Sequence, residues 1–385
     1  MIDTSKLALD RELAGFVALE SSFGVLASFT SAHSIGLLGL PKASQPESFT
    51  DSEERRNSAS LPERFRDLTP AGSVSFSLYS RPSGAAGTPP AEAAVIKAAT
   101  GQETINAGVS VVYAPAIQVP SLSLGYRAGQ NLTQFITGLV VEEFKTSGSA
   151  KGAIKHEISG KCRAILNAGK AVTVEGSTTT VIKLEAGGAK RFDKGARVQV
   201  GAENNAGAGY SVTDVDEAAH TITLGTPLSG APAADLVVCG YLPTLSLAGN
   251  ALAGRLCTLS VAGADLPVTE WSVSISRTIK LLDNLVTLND DFALQGYVAD
   301  LRTVKASCKT YFQGPHLAFF RQAKTQERAA LILGGGVAGS KLSIGLPRGE
   351  VNTPELSGNA PLELPLEFVA MASAAGEDEI TYTYE

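Results

Sequence analysis

Short runs of alternating apolar and polar residues, separated by Gly, Pro, Asn and Asp, recur along most of this chain. In GSVSFSLY, residues 72–79, the side chains of Val74, Phe76 and Leu78 share one face of an extended strand and the serines share the other. Similar runs occupy residues 108–113, 121–126, 136–144, 271–279, 329–333, 341–346, 362–371 and 380–384. A period of two repeated this often predicts half-buried strands and a mainly β fold.

Two short helices are expected beside the strands. The first has Thr88 as its N-cap, Pro89 and Pro90 in its first turn, the helix-forming run AEAAVIKAA, and Gly101 as its stop. The second is expected over residues 315–325, because apolar residues fall at helical spacing after a Gly-Pro break.

Residues 42–67 break the β pattern, since they combine charges of both signs with Ser and Pro and contain few apolar residues. Such a segment cannot bury a face of its own, and it predicts a long exposed loop or arm. Loops longer than about 15 residues are uncommon in compact domains unless they are functional or disordered. The charges fit a solvated loop and an assembly contact equally well.

Residues 166–242 have the pattern of a separate small β unit, with strand-like runs divided by turn sequences such as GGAKRFDKG and SGAPAAD. The segments on either side have the same pattern of strand-like runs as each other, which is expected of one larger domain that is interrupted between them. We therefore predict a discontinuous main domain, residues 1–165 and 243–385, with a small β domain inserted at residues 166–242.

Charge and hydropathy exclude two classes of protein. The formal net charge of −6 lacks the basic excess of a surface that grips nucleic acid. No stretch approaches the roughly 18 consecutive apolar residues of a membrane-spanning helix. The first residues carry Asp3, Asp10, Arg11 and Glu12 where a signal peptide needs a basic start and an apolar run, so folding in the cytoplasm is expected.

Metal ligands are not suggested by the histidines and cysteines, which are widely scattered. The histidines are expected to be ordinary surface or half-buried residues, and the cysteines to be buried free thiols. These residues are His33, His156, His220 and His316, and Cys162, Cys239, Cys257 and Cys308.

A nucleotide-binding pattern, G-x-G-x-x-G, is formed by Gly334, Gly336 and Gly339 after the strand-like AALIL. The residues that follow, SKLSIGLPRG, alternate like a strand, so no helix N-terminus is available to hold a pyrophosphate. A glycine-rich hairpin is the better prediction.

Acid pairs are also poor catalytic candidates, because neighbours on a strand point to opposite faces. This holds for Glu142 with Glu143 and for Asp290 with Asp291. Without a nucleophile elbow or phosphate loop, the sequence predicts no catalytic residue, no cofactor and no metal, and therefore no enzyme. A β-rich hydrolase would need these four acids to converge in one cleft.

Several stretches resemble the tail tube proteins of long-tailed bacteriophages. The most specific is residues 72–101, GSVSFSLYSRPSGAAGTPPAEAAVIKAATG, which has a strand, an R-P-S-G turn and a Pro-Pro start to a short helix. Residues 121–166, 331–356 and 361–385 are similar to later strands of that family, and residues 210–230 are similar to the small β modules often inserted in it.

The resemblance implies a tail-tube sandwich or barrel of two packed β sheets with one or two short flanking helices. It implies self-assembly into rings, as a hexamer or as a trimer of pseudo-hexameric type, that stack into a tail tube through which DNA is ejected. The implied partners are further copies of the chain, a tape measure protein inside the tube, and tail terminator and distal tail proteins. Genomic DNA would pass without specific binding, and the protein would reside in the virion tail after synthesis in the host cytoplasm.

The resemblance also assigns residues 42–67 to a loop that reaches the adjacent ring, and the inserted domain to the tube exterior. Candidate inter-ring contacts are then Glu53, Glu54, Arg55, Arg56, Arg64 and Arg66. The alternatives are another phage tail part, either a connector or terminator or a baseplate or fibre-like binding protein, and, less favoured, the β-rich hydrolase.

Overall fold

The computed structural model describes residues 12–54, 60, 63–129, 131–283, 292, 294–326, 328–358 and 361–385. The fold is mainly β, with 52% of residues in strands and 9% in helices, which confirms the predicted class. The α-helices are α1, Ala93–Thr100, and α2, Leu317–Thr325. The strands are β1 Leu13–Leu19, β2 Ser34–Ile35, β3 Lys42–Ser44, β4 Phe49–Asp51, β5 Arg64–Arg66, β6 Gly72–Tyr79, β7 Gly101–Asn106, β8 Ser110–Pro115, β9 Leu122–Ala128, β10 Leu132–Ser149, β11 Lys155–Cys162, β12 Ala164–Ala168, β13 Lys170–Val172, β14 Val181–Lys183, β15 Arg197–Val200, β16 Tyr210–Asp216, β17 Thr221–Leu224, β18 Val237–Gly240, β19 Cys257–Val261, β20 Ala264–Leu266, β21 Glu270–Asp283, β22 Leu294–Tyr311, β23 Arg328–Val337, β24 Ser340–Val351, β25 Glu363–Ala370 and β26 Thr381–Tyr384.

One antiparallel sheet, here called sheet I, forms a complete layer of the main body. Its strands follow the order β3, β6, β11, β10, β21, β22 and β25. Along β6 every second residue, including Val74, Phe76 and Leu78, is buried, as the alternating sequence predicts.

The opposing layer consists of two sheets. Sheet II has the order β2, β1, β9, β10 and β12, and sheet III has the order β20, β19, β23, β24, β26, β8 and β7. The inward side chains of all three sheets form one hydrophobic core. Strand β10 bends between layers, since residues 132–139 pair within sheet II and residues 143–149 within sheet I, with a bulge near Glu143.

Sheet II is covered on both faces. Its outer face carries Phe16, Phe135 and Leu166, and these pack against a separate six-stranded sheet, here called sheet IV, through residues such as Val198 and Val238. Sheet IV has the order β13, β18, β15, β16, β17 and β14. It therefore lies on the far side of sheet II from sheet I.

Sheet IV falls within the segment predicted as a small inserted β domain. Its strands run from residue 170 to residue 240, and β12, at residues 164–168, belongs to sheet II. The described strands of sheet IV pair only with one another, apart from the isolated bridge of Ala168 to Phe192 nearby. The division into an inserted and a discontinuous domain stays a prediction.

Helix α1 starts later than the sequence predicts. Its N-cap is Glu92 rather than Thr88, because the Ala91 amide donates to the Arg81 carbonyl and keeps the Pro89–Pro90 stretch out of the helix. Gly101 ends α1 with a φ of 117°, as expected of a glycine stop. Helix α2 follows a 3₁₀ turn at Gly314–His316, which confirms the second helix.

The glycine-rich segment is a hairpin, as predicted. Strands β23 and β24 pair antiparallel across a turn that contains Gly339. Gly334 and Gly336 lie within β23 at positive φ, where an added Cβ would meet backbone oxygen of β24 within 2.2 Å. The glycines therefore serve close strand contact and not phosphate binding.

Two successive stretches of the chain, here called unit A (β1 to β12) and unit B (β19 to β26), share one pattern of strand pairing. In unit A the pairs are β1–β2, β1–β9, β9–β10, β10–β11, β10–β12, β11–β6 and β6–β3. In unit B they are β19–β20, β19–β23, β23–β24, β24–β25, β24–β26, β25–β22 and β22–β21. Each unit also places its helix after the second strand of sheet I, and unit A has the additional hairpins β4–β5 and β7–β8.

We expect Gly160→Ala to destabilise the fold, because an added Cβ would lie 2.0 Å from the Val140 carbonyl oxygen opposite the β10 bulge. Overpacking of this kind typically costs about 1–3 kcal/mol. The denaturant midpoint of unfolding measures the loss, with Ser159→Ala on the neighbouring half-buried position as control. Equal midpoints for the two variants would contradict the tight packing at this bulge.

Candidate assembly surface

The outward face of sheet I, here called the polar face, carries mostly serine, threonine and charged side chains, with Tyr79 and Tyr311 at one end of two strands. It faces away from the core because the residues that alternate with it on each strand are buried. Hydroxyl pairs link its strands, with Ser44 Oγ 3.0 Å from Ser73 Oγ and Ser272 Oγ 2.9 Å from Ser307 Oγ. Its ionic members include Lys42, Lys145, Lys155, Lys161, Lys280, Lys305, Lys309, Glu143, Glu157, Glu270, Glu363 and Glu367.

Charges of both signs lie side by side on the polar face and form ion pairs within and between strands. Nitrogen-to-oxygen distances are 2.7 Å for Lys155 with Glu157, 2.7 Å for Lys309 with Glu270, and 3.6 Å for Lys305 with Glu367. The Lys155 hydrogen bond lowers the pKa of Glu157, and the Glu270 hydrogen bond raises the pKa of Lys309. The overall acidity of the chain is thus not concentrated on this face.

The two ends of sheet I differ in what covers them. At one end is β3, and no strand among the described residues pairs with its outer edge. At the other end, β25 is bordered by the chain that continues β24: the Asn352 amide donates to the Glu367 carbonyl, and Ser357 and Glu363 exchange two hydrogen bonds. Beyond residues 352–357 no described strand follows. Both ends therefore present unpaired backbone groups, which are templates for further pairing.

The predicted arm is not a structureless loop. Residues 42–44 form β3 inside sheet I, and β4 pairs with β5 as a two-stranded hairpin with fully exposed strands. Asp67 holds the base of the hairpin, because its carboxylate accepts 3.0 Å hydrogen bonds from Ser48 Oγ and Thr50 Oγ1. The Asp67 amide also donates to the Ser48 carbonyl at 3.0 Å, so the two ends of the hairpin lie side by side.

The candidate inter-ring residues have different surroundings. Arg64 lies 3.2 Å from Asp51, and Arg66 lies 3.1 Å from Glu47, so both arginines pair within the arm. Glu53 and Glu54 are exposed near the tip. Arg55 and Arg56 lie outside the described residues. An inter-ring role for the six residues stays a prediction.

Sequence reasoning missed the aromatic residues of the arm. Phe49 is covered on one side by the Arg64 guanidinium, 4.9 Å from the ring centre. Phe65 points to the other side of the hairpin, in register with Thr50, and is 49% exposed. The alternation of FTD and RFR could have indicated this short hairpin, but charge and Ser content dominated the pattern.

A cluster of buried polar side chains lies inside the core, around the Glu92 carboxylate. Glu92 Oε1 accepts hydrogen bonds from Ser80 Oγ at 2.9 Å and from Tyr384 Oη at 3.0 Å. The Arg81 amide donates to the same oxygen at 2.9 Å. Burial, and then the charge of Glu92, raise the pKa of Tyr384 well above its usual value. The cluster joins the start of α1 to β6 and to the C-terminal strand β26.

His156 extends this cluster, which corrects the expectation of ordinary surface or half-buried histidines. It is fully buried, with Nδ1 2.9 Å from Thr146 Oγ1 and its ring stacked on Phe144. Its Nε2 atom lies 3.6 Å from Glu92 Oε1. His316 is buried as well, whereas His33 is half-buried as expected. The alternating pattern of β11 could have placed His156 inward, since it alternates with Lys155 and Glu157.

The remaining candidates for chemistry are separate from this cluster. Glu142 and Glu143 lie at the β10 bulge, with Glu143 exposed on the polar face, and Asp290 and Asp291 lie outside the described residues. The four cysteines are free, and Cys162 and Cys308 are buried. Among the described residues no group of His, Cys, Asp and Glu is arranged to hold a metal ion. No described helix has the length and apolar content to cross a membrane.

Comparison with known proteins returned no protein-family model that matches the chain, and no curated protein that matches it significantly.

We expect Tyr384→Phe to lower the free energy of unfolding by about 1–3 kcal/mol, because it removes one hydrogen-bond donor from a buried carboxylate. Tyr311→Phe, at an exposed tyrosine, is the matched control and should change stability little. Chemical denaturation of both variants measures the difference. Equal stability would mean that the Glu92 cluster does not support the fold.

Proposed function

We propose that this chain is a structural subunit that assembles with copies of itself into the tail tube of a long-tailed bacteriophage. The observation that carries the proposal is the geometry of sheet I, which has unpaired backbone at both ends and an arm beside one of them. The sequence resemblance described above supports the same function.

A sheet with two open edges of different sequence favours head-to-tail association. One edge of a copy can pair with the opposite edge of the next. If the rotation between successive copies returns to the first copy, the result is a ring without free edges. The two similar units in each chain favour the trimer of pseudo-hexameric type over the hexamer, since three chains then supply six units. A closed ring is the assembly in which both edges of sheet I gain a partner strand.

In such a ring the polar face is the side that we assign to the lumen. Sheet IV packs behind sheet II, away from that face, which suits the tube exterior. Non-specific binding of DNA grows with the number of Lys and Arg residues that neutralise phosphates. On this face Lys155, Lys305 and Lys309 lie against glutamates, so the surface offers few unpaired cations to passing DNA or to a tape measure protein.

Tail terminator and distal tail proteins would bind the two ends of the tube, and the assembled protein would reside in the virion tail. The subunit would be made in the host cytoplasm. These partners follow from the proposed function and from no contact in the structure.

Assembly of the purified chain tests the proposal directly. We expect negative-stain electron microscopy of concentrated protein to show hollow rings or tubes with a constant diameter. Rings that never stack would instead indicate a connector or terminator. A strictly monomeric protein at high concentration would contradict the proposed function.

Stacking of rings is expected to depend on the arm. Replacing residues 49–66 with a short Gly-Ser linker should leave sheet I intact, because Ser48 and Asp67 already contact each other. We expect this variant to form rings but few or no tubes. We also expect Phe65→Glu to shorten tubes, because it replaces an exposed aromatic ring with a charged side chain. Thr50→Glu, which faces the same side at the register position of Phe65, is the control for charge alone. Tubes of normal length from the linker variant would show that ring stacking does not need the arm.

A further inference from the structure

Equivalent positions in units A and B can be assigned from strand register. In sheet I, Tyr79 of β6 pairs with Lys155, the first residue of β11, and Tyr311 of β22 pairs with Glu363, the first residue of β25. Tyr79 and Tyr311 are therefore equivalent, and counting back along each strand makes Ser75 equivalent to Ser307.

The strand register also assigns equivalent residues on the neighbouring strands. Lys42 of β3 is opposite Ser75, and Ser272 of β21 is opposite Ser307, so Lys42 corresponds to Ser272. On the other side, Ser147 of β10 is opposite Lys155, and Ser357 is opposite Glu363. Ser147 therefore corresponds to Ser357.

A junction between the two units already exists within each chain. Strand β10 of unit A pairs with β21 of unit B, with Ser147 opposite Ser272, Lys145 opposite Ser274, and Thr146 opposite Val273. In the equivalent places at the ends of sheet I, residues 353–357 and β3 have no partner strand on their outer sides among the described residues.

We propose that neighbouring copies join by repeating this internal junction, with residues 353–357 of one copy pairing antiparallel with β3 of the next. The register then places Ser357 opposite Lys42 and Glu355 opposite Ser44. This inference rests on the proposed function, because it specifies the contact by which rings close.

Burial at the equivalent positions supports the pairing. Thr146 and Val273 are fully buried at the internal junction. Their counterparts, Leu356 and Ala43, are 46% exposed and half-buried in the isolated chain. The equivalence with Thr146 assigns Leu356 to the inward side of the sheet, where the next strand would cover it.

Charge at the same edges is complementary. Glu355 and Lys42 are both exposed, and the proposed register makes them diagonal neighbours across the junction. Diagonal neighbours on antiparallel strands lie about 7–8 Å apart, within reach of long side chains. Opposite charges there favour this pairing over contact between two like edges.

Cysteine cross-linking tests the register. Directly opposed residues have Cα atoms about 4.5–5.5 Å apart, which a disulfide can span. The double variant Lys42→Cys with Ser357→Cys should give covalent multimers on non-reducing gels after mild oxidation of assembled protein. Within one chain these residues lie at opposite ends of sheet I, roughly 30 Å apart at about 4.8 Å per strand, so any bond must join two copies.

The matched control is Lys42→Cys with Thr353→Cys, which keeps the same face but moves one partner by about 13 Å along the strand. The unmodified chain controls for the native cysteines. We expect at least tenfold more cross-linked product from the Ser357 pair than from the Thr353 pair. Rings that form without this preference would overturn the proposed junction and leave the proposed function standing.

A second variant does not depend on oxidation. Leu356→Asp should abolish ring formation while the chain stays folded, because it places a charge where the next copy covers the leucine. Val181→Asp, at a partly exposed aliphatic residue of sheet IV, should assemble normally. Normal rings from Leu356→Asp would overturn the junction, whereas absence of rings from the unmodified chain would overturn the proposed function as well.

Discussion

The hydrogen bonds of one bent strand hold this architecture together. Strand β10 pairs with β9 and β12 in one layer and with β11 and β21 in the other, so it fixes the distance and angle between the layers. The bulge near Glu143 and the positive φ of Gly138 let the backbone turn between them. Strand β24 has the same role in unit B, because it pairs with β23 in one layer and with β25 in the other.

The sequence was most informative where side chains alternate on a half-buried strand. The pattern of GSVSFSLY predicts β6 to the residue, and it also predicts which face becomes polar. Strand ends and helix ends were harder, because they depend on partners distant in sequence. The buried Glu92 at the start of α1 accepts hydrogen bonds from Ser80 and Tyr384, and Tyr384 is 292 positions further along the chain.

The duplication of strand pairing could not be seen in the sequence. The pairing of backbone groups is insensitive to side-chain identity, so GSVSFSLY in β6 and VKASCKTY at the end of β22 hold equivalent places with few shared residues. The alternation, one serine (Ser75 and Ser307) and the final tyrosine are all that the two segments share. The arm shows the opposite case, since its charges suggested a long exposed loop or arm and gave no sign of the hairpin that Asp67 closes there.

The internal junction between β10 and β21 has a consequence for stability on dilution. Both of its strands belong to one chain, so it forms at an effective concentration set by the connecting residues and not by the amount of protein in solution. A junction between separate chains lacks this advantage and weakens on dilution. In the proposed ring, dilution would thus release whole chains of two units, and each released chain would keep its own sheet I continuous.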